Sequence, residues 1–598
     1  MKKLSLLLVL SLYGCYETAP PSTDVDFKYK SAGKTPITST DDLKPEEKTK
    51  TPTLDSVDNP EKPSGDVILP AINNADVLKA IHADALKLNP SDGPKTRYFT
   101  LQTLNNAGKN AAILDQQRAA FKKTINSLST KAALVKPPAV DKDRIIYRLN
   151  LDDINLSPAE FDGIIADFYP FAGTQEDIGT ADSIAAETAD RDLKELLGTN
   201  IYLIRMDWFN ATATLPVLYA KFLRLPGNLS DFEDEVLGSR VSTASLTNAD
   251  PADVKAIDKS LIKREGNVNK VDKRIANILQ NDVLRTGFDN SNVSFSNRII
   301  ERHAIAEGSY WITYDFFNLK AGDKIKDANG KEKLANQADL DKHNINKSPL
   351  GPIGTNSAKL EFQHDGGEVI YSLPNGMFGY YLIDAKGTLL DKGPLNVVRQ
   401  NSGPAEFSNA ITNGLSCMSC HNTGLLKQAD SIVSGLNQNR TELDAKDLAR
   451  INRIYDAKTF NSIMNKDNTR YVEALKTLGI DPTKPDPIDQ AFRTYNRALT
   501  KKDVMAELDL GEKEFAQLLV DPEFSGTFNP LNTDNGSINR GVFQAIYTAV
   551  AASFKQGFKT EEPKAADFVV TVDCMAVDLV QMDNCTINPL QLNLSAER

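Results

Sequence analysis

Five consecutive residues, Cys417-Met418-Ser419-Cys420-His421, restrict their surroundings more than any other stretch of the chain. Two thiols three apart and an imidazole directly after the second come to one side when the backbone makes a helical turn. Positions i, i+3 and i+4 of a helix share a face. A C-x-x-C-H run is the attachment signature of c-type haem. On that reading Cys417 and Cys420 reach the porphyrin vinyl groups as thioethers, and His421 presents its ring to the iron as proximal ligand. Gly403 followed by Pro404-Ala405-Glu406-Phe407 is expected to open a helix leading to this turn. Two other uses of a cysteine pair fit less well. A thioredoxin-like redox pair wants the end of a strand opening a helix, which Ser402–Leu415 does not resemble. A zinc site joining the pair to Cys574 and Cys585 has the spacing of no finger or ribbon.

Haem attachment of this kind takes place outside the cytoplasm, and the N-terminus points the same way. Lys2 and Lys3 precede an apolar run, Leu4 to Leu12, that is short for a bilayer span and reads as the core of an export signal. It ends in Leu12-Tyr13-Gly14-Cys15, similar to the lipobox of bacterial lipoproteins, so Cys15 is the expected lipidation site. Acyl chains gain about 0.8 kcal/mol per buried methylene, enough for several together to hold a soluble body on a membrane. Tyr16 rather than Asp follows the lipid-bearing residue, which favours the outer membrane, on the periplasmic side or the cell surface. The charge balance, 69 basic against 80 acidic residues for a net −11, gives no basic face for nucleic acid. The membrane therefore enters as a partner through the lipid alone.

Residues 16–66 carry Pro20, Pro21, Pro36, Pro45, Pro52, Pro60 and Pro63 among Thr, Ser, Lys, Asp and Glu. Such a composition cannot bury enough apolar surface to offset its ordering entropy, so a disordered tether is expected. From residue 67 the pattern turns globular. Val77, Leu78, Ile81 and Ala85, then Leu114, Arg118, Phe121, Ile125 and Leu128, recur at helical spacing. Ser157-Pro158-Ala159-Glu160 is a capping box with proline at the first helical position. Arg144 to Leu149 reads as a short strand. Further on, Glu368–Leu373 and Phe378–Ile383 flank Pro374-Asn375-Gly376, the pattern of a β-hairpin, and Asp384-Ala385-Lys386-Gly387 is the next turn. The fold class expected is multidomain α+β. Its parts are a signal peptide (1–15), the tether (16–66), a helix-rich domain (67–300), a β-rich section (301–400), a helical cytochrome c-like haem domain (401–560) and a small β tail (561–598). Cys574 and Cys585 remain after lipid and haem have taken the other three cysteines. In an oxidising compartment they are expected to form a disulfide that stabilises the tail by roughly 3 kcal/mol.

The sixth position of the iron has no obvious ligand. Met464 and Met505 sit in helical stretches and read as core packing. His82 and His343 read as solvated. His303 in Glu301-Arg302-His303 and His364 before Asp365-Gly366-Gly367 are the candidates for the distal ligand, the paired glycines permitting a close backbone approach. Asn532-Thr533-Asp534-Asn535-Gly536 looks like half an EF-hand, but Leu531 and Val542 stand where acidic ligands belong, so a turn before a helix is expected.

Several blocks resemble a family of large exported bacterial (lipo)proteins with a single c-type haem motif. They are Arg97-Tyr98-Phe99, Leu104-Asn105-Asn106-Ala107-Gly108, Arg205-Met206-Asp207-Trp208-Phe209, Glu301-Arg302-His303, Tyr314-Asp315-Phe316, His364-Asp365-Gly366-Gly367-Glu368, Leu373-Pro374-Asn375-Gly376 and Asn413-Gly414-Leu415-Ser416-Cys417. The resemblance spans residues 97–545 and implies a cytochrome c-like, exported protein. The family is mostly uncharacterised and carries no assigned reaction. With one motif in the chain, a di-haem peroxidase is disfavoured. The function expected is an exported, membrane-anchored mono-haem cytochrome passing electrons to a redox partner protein or a small donor or acceptor. An open-iron haem enzyme or ligand sensor, and a binding protein with structural haem, are the alternatives.

Overall fold

In the computed structural model, residues 67–559 are described apart from 172–173, 176–180, 239–240, 248, 257–260, 290–296, 327–330, 352–361, 395–397, 399–409, 434, 436–444 and 555–557. The export signal, Cys15, the tether, the helix start at Pro404, Cys574, Cys585 and the expected β tail lie outside them. Among the described residues no helix is long and apolar enough to cross a membrane.

The first helix, α1 (Asn74–Ala85), begins where the Asn73 side chain accepts from the Asp76 N–H, and it buries Val77, Leu78, Ile81 and Ala85. Strand β1 (Thr96–Thr100) leads to α2 (Ala111–Ser127), whose inner face carries Leu114, Arg118, Phe121 and Ile125. Strand β2 (Ile146–Asn150) follows, then α3 (Pro158–Phe168), where Ser157 and Glu160 complete the reciprocal cap read from the sequence. Strand β3 (Leu203–Arg205) runs straight into α4 (Met206–Thr212), which is buried along its whole length. The three strands form one small sheet, β2 antiparallel and β3 parallel to β1. Helices α5 (Pro216–Leu223), α6 (Leu229–Val236) and α7 (Lys273–Leu279) also belong to this half.

The larger sheet is a five-stranded antiparallel meander. Its strands are β4 (Leu284–Phe288), β5 (Arg298–Ile305), β6 (Gly308–Asp315), β7 (Gly366–Ser372) and β8 (Phe378–Asp384), neighbours in space in the order of the chain. The β7–β8 hairpin forms where Asn-Gly predicted it, with Ser372 opposite Phe378, Gly366 opposite Asp384 and Gly376 at φ 88°. Side chains of successive residues alternate between the two faces of a sheet. Registers Tyr310↔His303, Tyr310↔Tyr371 and Ile312↔Glu301 therefore put Tyr310, Tyr314, His303 and Glu301 on one face, while Trp311, Thr313, Glu368 and Tyr380 share the other. The first face is covered by α6 and α7: Phe232 stacks on Tyr381, and Arg274 bonds Glu233 and the Tyr314 hydroxyl.

After the sheet come α8 (Leu415–Cys420), α9 (Ala457–Thr477), α10 (Pro487–Asn496), α11 (Lys501–Leu508) and α12 (Arg540–Phe554). The Asn532–Ile538 segment is the turn expected before α12. The result is mixed α+β with several small sheets. The described residues from 67 onward cluster into one compact unit. Helix α10 packs on α2 and α4, buried Lys123 pairs with Asp486, and Asn375 of the hairpin turn donates to the Asn126 carbonyl at 2.8 Å.

Candidate haem site

The sheet face that bears Glu368 and Tyr380 is roofed by α9. Phe460, Met464, Asp467 and Tyr471 are spaced to fall on one side of that helix, and all are buried. Phe460 packs edge-on against Trp311, Asp467 accepts from the Trp311 indole at 3.0 Å, and Tyr471 stacks on Phe378.

Helix α8 arrives at the same face. It starts after Gly414, whose φ of 79° suits glycine and where a Cβ would lie 2.5 Å from the Thr214 carbonyl oxygen. Ser416 Oγ accepts from the Thr412 N–H at 2.9 Å, and the His421 N–H closes the turn on the Cys417 carbonyl at 2.9 Å. Cys417 is buried, 2% exposed, while Cys420 and His421 are half-buried. Both cysteines are free thiols.

The imidazole of His421 is oriented on both sides. Its Nδ1 lies 3.2 Å from the Gly424 carbonyl oxygen, a bond in which the ring must donate, leaving Nε2 as the lone-pair nitrogen. On the Nε2 side stands Glu368, with Oε2 at 3.9 Å, and the Tyr380 ring lies 6.3 Å away centroid to centroid. The loop after the histidine is clamped from two directions. Asn468 of α9 accepts from the Leu425 N–H at 2.6 Å and donates to its carbonyl at 2.9 Å, and Asn422 donates to Lys484 O at 2.6 Å. Burial, with Glu368 against the thiol, pushes Cys417 well above the ordinary thiol range. Burial, then Glu368 and Asp489, push Cys420 up to about 11.

These residues fit the group that the sequence implies. Porphyrin supplies four of the iron's ligands, so the chain need offer only one imidazole and two anchors. A cluster of three or more ligating side chains for a bare ion is absent among the described residues. An imidazole whose second nitrogen donates to a backbone carbonyl is the orientation that metal-binding histidines adopt. A cavity of about 90 Å³ lined by Tyr169, Phe171, Arg205, Glu507, Asp509 and Tyr547 does not touch the pentapeptide, and no nucleophile–base pair emerges there.

The distal candidates are not brought to His421. His303 is wholly buried on the opposite face of the sheet, with Nε2 2.7 Å from Glu301 Oε1 and Nδ1 3.2 Å from Asn277 Nδ2. Both nitrogens are occupied by structural bonds, so the lone pair a metal needs is spent. His364 packs edge-on against Tyr314, on that same far face. His343, expected to be solvated, instead bonds the Asp339 carbonyl at 2.9 Å and faces Asp365. Met464 is core packing as expected. The residue that sequence reasoning missed is Glu368. It stood in the quoted His364–Glu368 block, but only strand register reveals which face it takes. Comparison with protein-family models, with curated proteins and with solved structures finds no match to this chain.

Proposed function

We propose that this chain is an exported, lipid-tethered mono-haem c-type protein in one-electron redox service. Cys417 and Cys420 are the thioether anchors and His421 is the proximal ligand. The carrying observation is the C-x-x-C-H run with His421 Nδ1 held by the Gly424 carbonyl and Nε2 turned to the other side. Bound haem would supply an iron centre that gains and loses single electrons. Cys417 and Cys420 would hold the haem as thioethers, each thiol supplying both its sulfur and its hydrogen to one vinyl group, so that no oxidant is needed. Asn468 and Asn422 hold the loop that fixes the imidazole, and buried Tyr219 and Tyr380 keep water from the Cys417 side. The Cys15 lipid and the proline-rich tether place the body near a membrane. The resemblance to exported single-haem proteins points the same way, and a protein partner or small molecule takes or gives the electron.

A second reading has its own support. Neither His303 nor His364 stands beside His421, so neither would hold the far side of a bound haem, an arrangement that would suit an open-iron enzyme or ligand sensor. The test is the full-length protein matured in a host competent for c-type cytochrome assembly. A haem stain that survives denaturation, with one haem's added mass lost in Cys417→Ser/Cys420→Ser, is the expected result. A wild-type chain without covalent haem would overturn it. Carbon monoxide would leave the ferrous spectrum unchanged if a sixth ligand stays bound on reduction and would shift it if that position is open in the ferrous state.

A further inference from the structure

We infer that Glu368 is the distal group of this site, its carboxylate closing the iron's sixth position in the oxidised state and releasing it on reduction. The inference rests on the haem reading above and says which residue of this chain completes it.

With Nδ1 engaged by Gly424, the iron must lie on the Nε2 side of the His421 ring. Glu368 Oε2 stands on that side, 3.9 Å from Nε2. Bonds from imidazole nitrogen and carboxylate oxygen to a first-row transition metal are each about 2 Å, so ligands on opposite sides of one ion stand about 4 Å apart. The carboxylate is also well anchored. Strand β7 lies between β6 and β8, and the Glu368 N–H donates to Thr313 Oγ1 at 2.7 Å, so the side chain projects from a fixed backbone. Glu368 is 9% exposed. Of the cations on the same face, Arg298 is gripped by Asp315 through two nitrogens and Arg302 donates to Ser309 Oγ at 2.9 Å, so both guanidinium groups have partners other than Glu368. In the haem-free chain its neighbour is the Cys417 thiol. Thioether formation consumes that S–H and frees the carboxylate.

The remaining candidates fall away on placement. His303 and His364 are on the far face. Met464 shares the roof helix but lies in the packed row of Phe460, Asp467 and Tyr471. A carboxylate is a hard, anionic donor, matched to ferric rather than ferrous iron. It therefore holds the oxidised state and yields its place once the iron is reduced.

The experiment uses the full-length, haem-loaded protein and reads absorption, electron paramagnetic resonance and reduction potential. Wild type is expected to be high-spin when ferric and to bind carbon monoxide when ferrous. E368Q should change the ferric spectrum and shift the potential upward, because a negative charge beside the iron is lost. E368H should convert the ferric protein to a low-spin, two-imidazole spectrum while keeping the wild-type urea midpoint, which separates a placed ligand from a histidine recruited by misfolding. M464L should leave all three readings unchanged. If E368Q and E368H both keep the wild-type spectrum and potential, or if M464L is the change that alters them, Glu368 is not the distal group. Covalent attachment is scored separately by the denaturing haem stain. Stained protein with unmoved spectra refutes this inference alone, and an unstained wild type refutes the haem reading with it.

Discussion

At the scale of single residues, the carboxylate of Glu368 does two things to its neighbours. It faces the Nε2 side of His421, and it sits against the Cys417 thiol, whose proton it helps retain. Thiolate, not thiol, attacks alkylating agents. In the folded, haem-free chain Cys417 and Cys420 should therefore react with iodoacetamide at pH 8.5 far more slowly than an unperturbed cysteine. Peptide-resolved mass spectrometry should show E368Q speeding both, and equal rates in wild type and variant would contradict the argument. His364 gives a pH dependence. Burial first, then the Arg274 charge, lowers it to about 4, so between that value and 6.5 the unfolded chain binds a proton that the folded chain refuses. The stability His364 contributes is intact above pH 6.5 and falls as the pH drops towards 4. Buried Glu233, raised to about 7, titrates in the same window with the opposite sign, so only a variant isolates the effect. His364→Gln should gain on wild type between pH 7 and pH 4. The ceiling is about 3 kcal/mol, reduced by the solvent that reaches this half-buried ring. Urea unfolding at both pH values reads the difference.

At the scale of elements, helix α8 is too short to hold itself and depends on what grips its ends. Gly414 lets it start against Thr214, and Asn468 of α9 holds both backbone groups of Leu425 just beyond His421. Replacing that amide leaves a backbone donor and acceptor unpaired in a half-buried place, which costs roughly 1–3 kcal/mol. Asn468→Ala should lower stability by that amount and increase hydrogen exchange over residues 421–425, with the β7–β8 hairpin unaffected. Exchange unchanged across that loop would show that Asn468 does not hold it. The hairpin itself was legible in the sequence, because Asn-Gly between two β-branched and aromatic runs leaves few alternatives. So were the capping box at Ser157 and the buried faces of α1 and α2. Each depends on residues within one or two turns of one another, where propensity and periodicity act directly.

At the scale of the whole molecule, charged groups far apart in sequence are buried together. Arg205 Nη1 donates to Glu507 Oε2 at 2.7 Å, Arg540 grips both oxygens of the same carboxylate, and Asp207 takes the other side of Arg205. Phe171 and Tyr495 lie under the two guanidinium groups at 4.1 and 4.3 Å. Removing one member of such a cluster strands the others without water, which costs roughly 3–5 kcal/mol. Glu507→Gln should therefore unfold residues 67–554 in a single transition at lower denaturant. A variant that melts only the part beyond residue 400 would contradict this and point to a separately folding unit there.

The sequence by itself determined the chemistry-bearing turn, the capping box at Ser157 and the hairpin, since each is written in adjacent or helically spaced residues, and it alone carries the proposal of an anchor and tether at the N-terminus. Tertiary structure alone decided which groups face His421. His303 and His364 share sequence blocks with sheet residues, yet strand alternation sends His303 to one face and Glu368 to the other. A single residue of register exchanges those faces, and register is set by pairing across the sheet rather than by anything local to either residue.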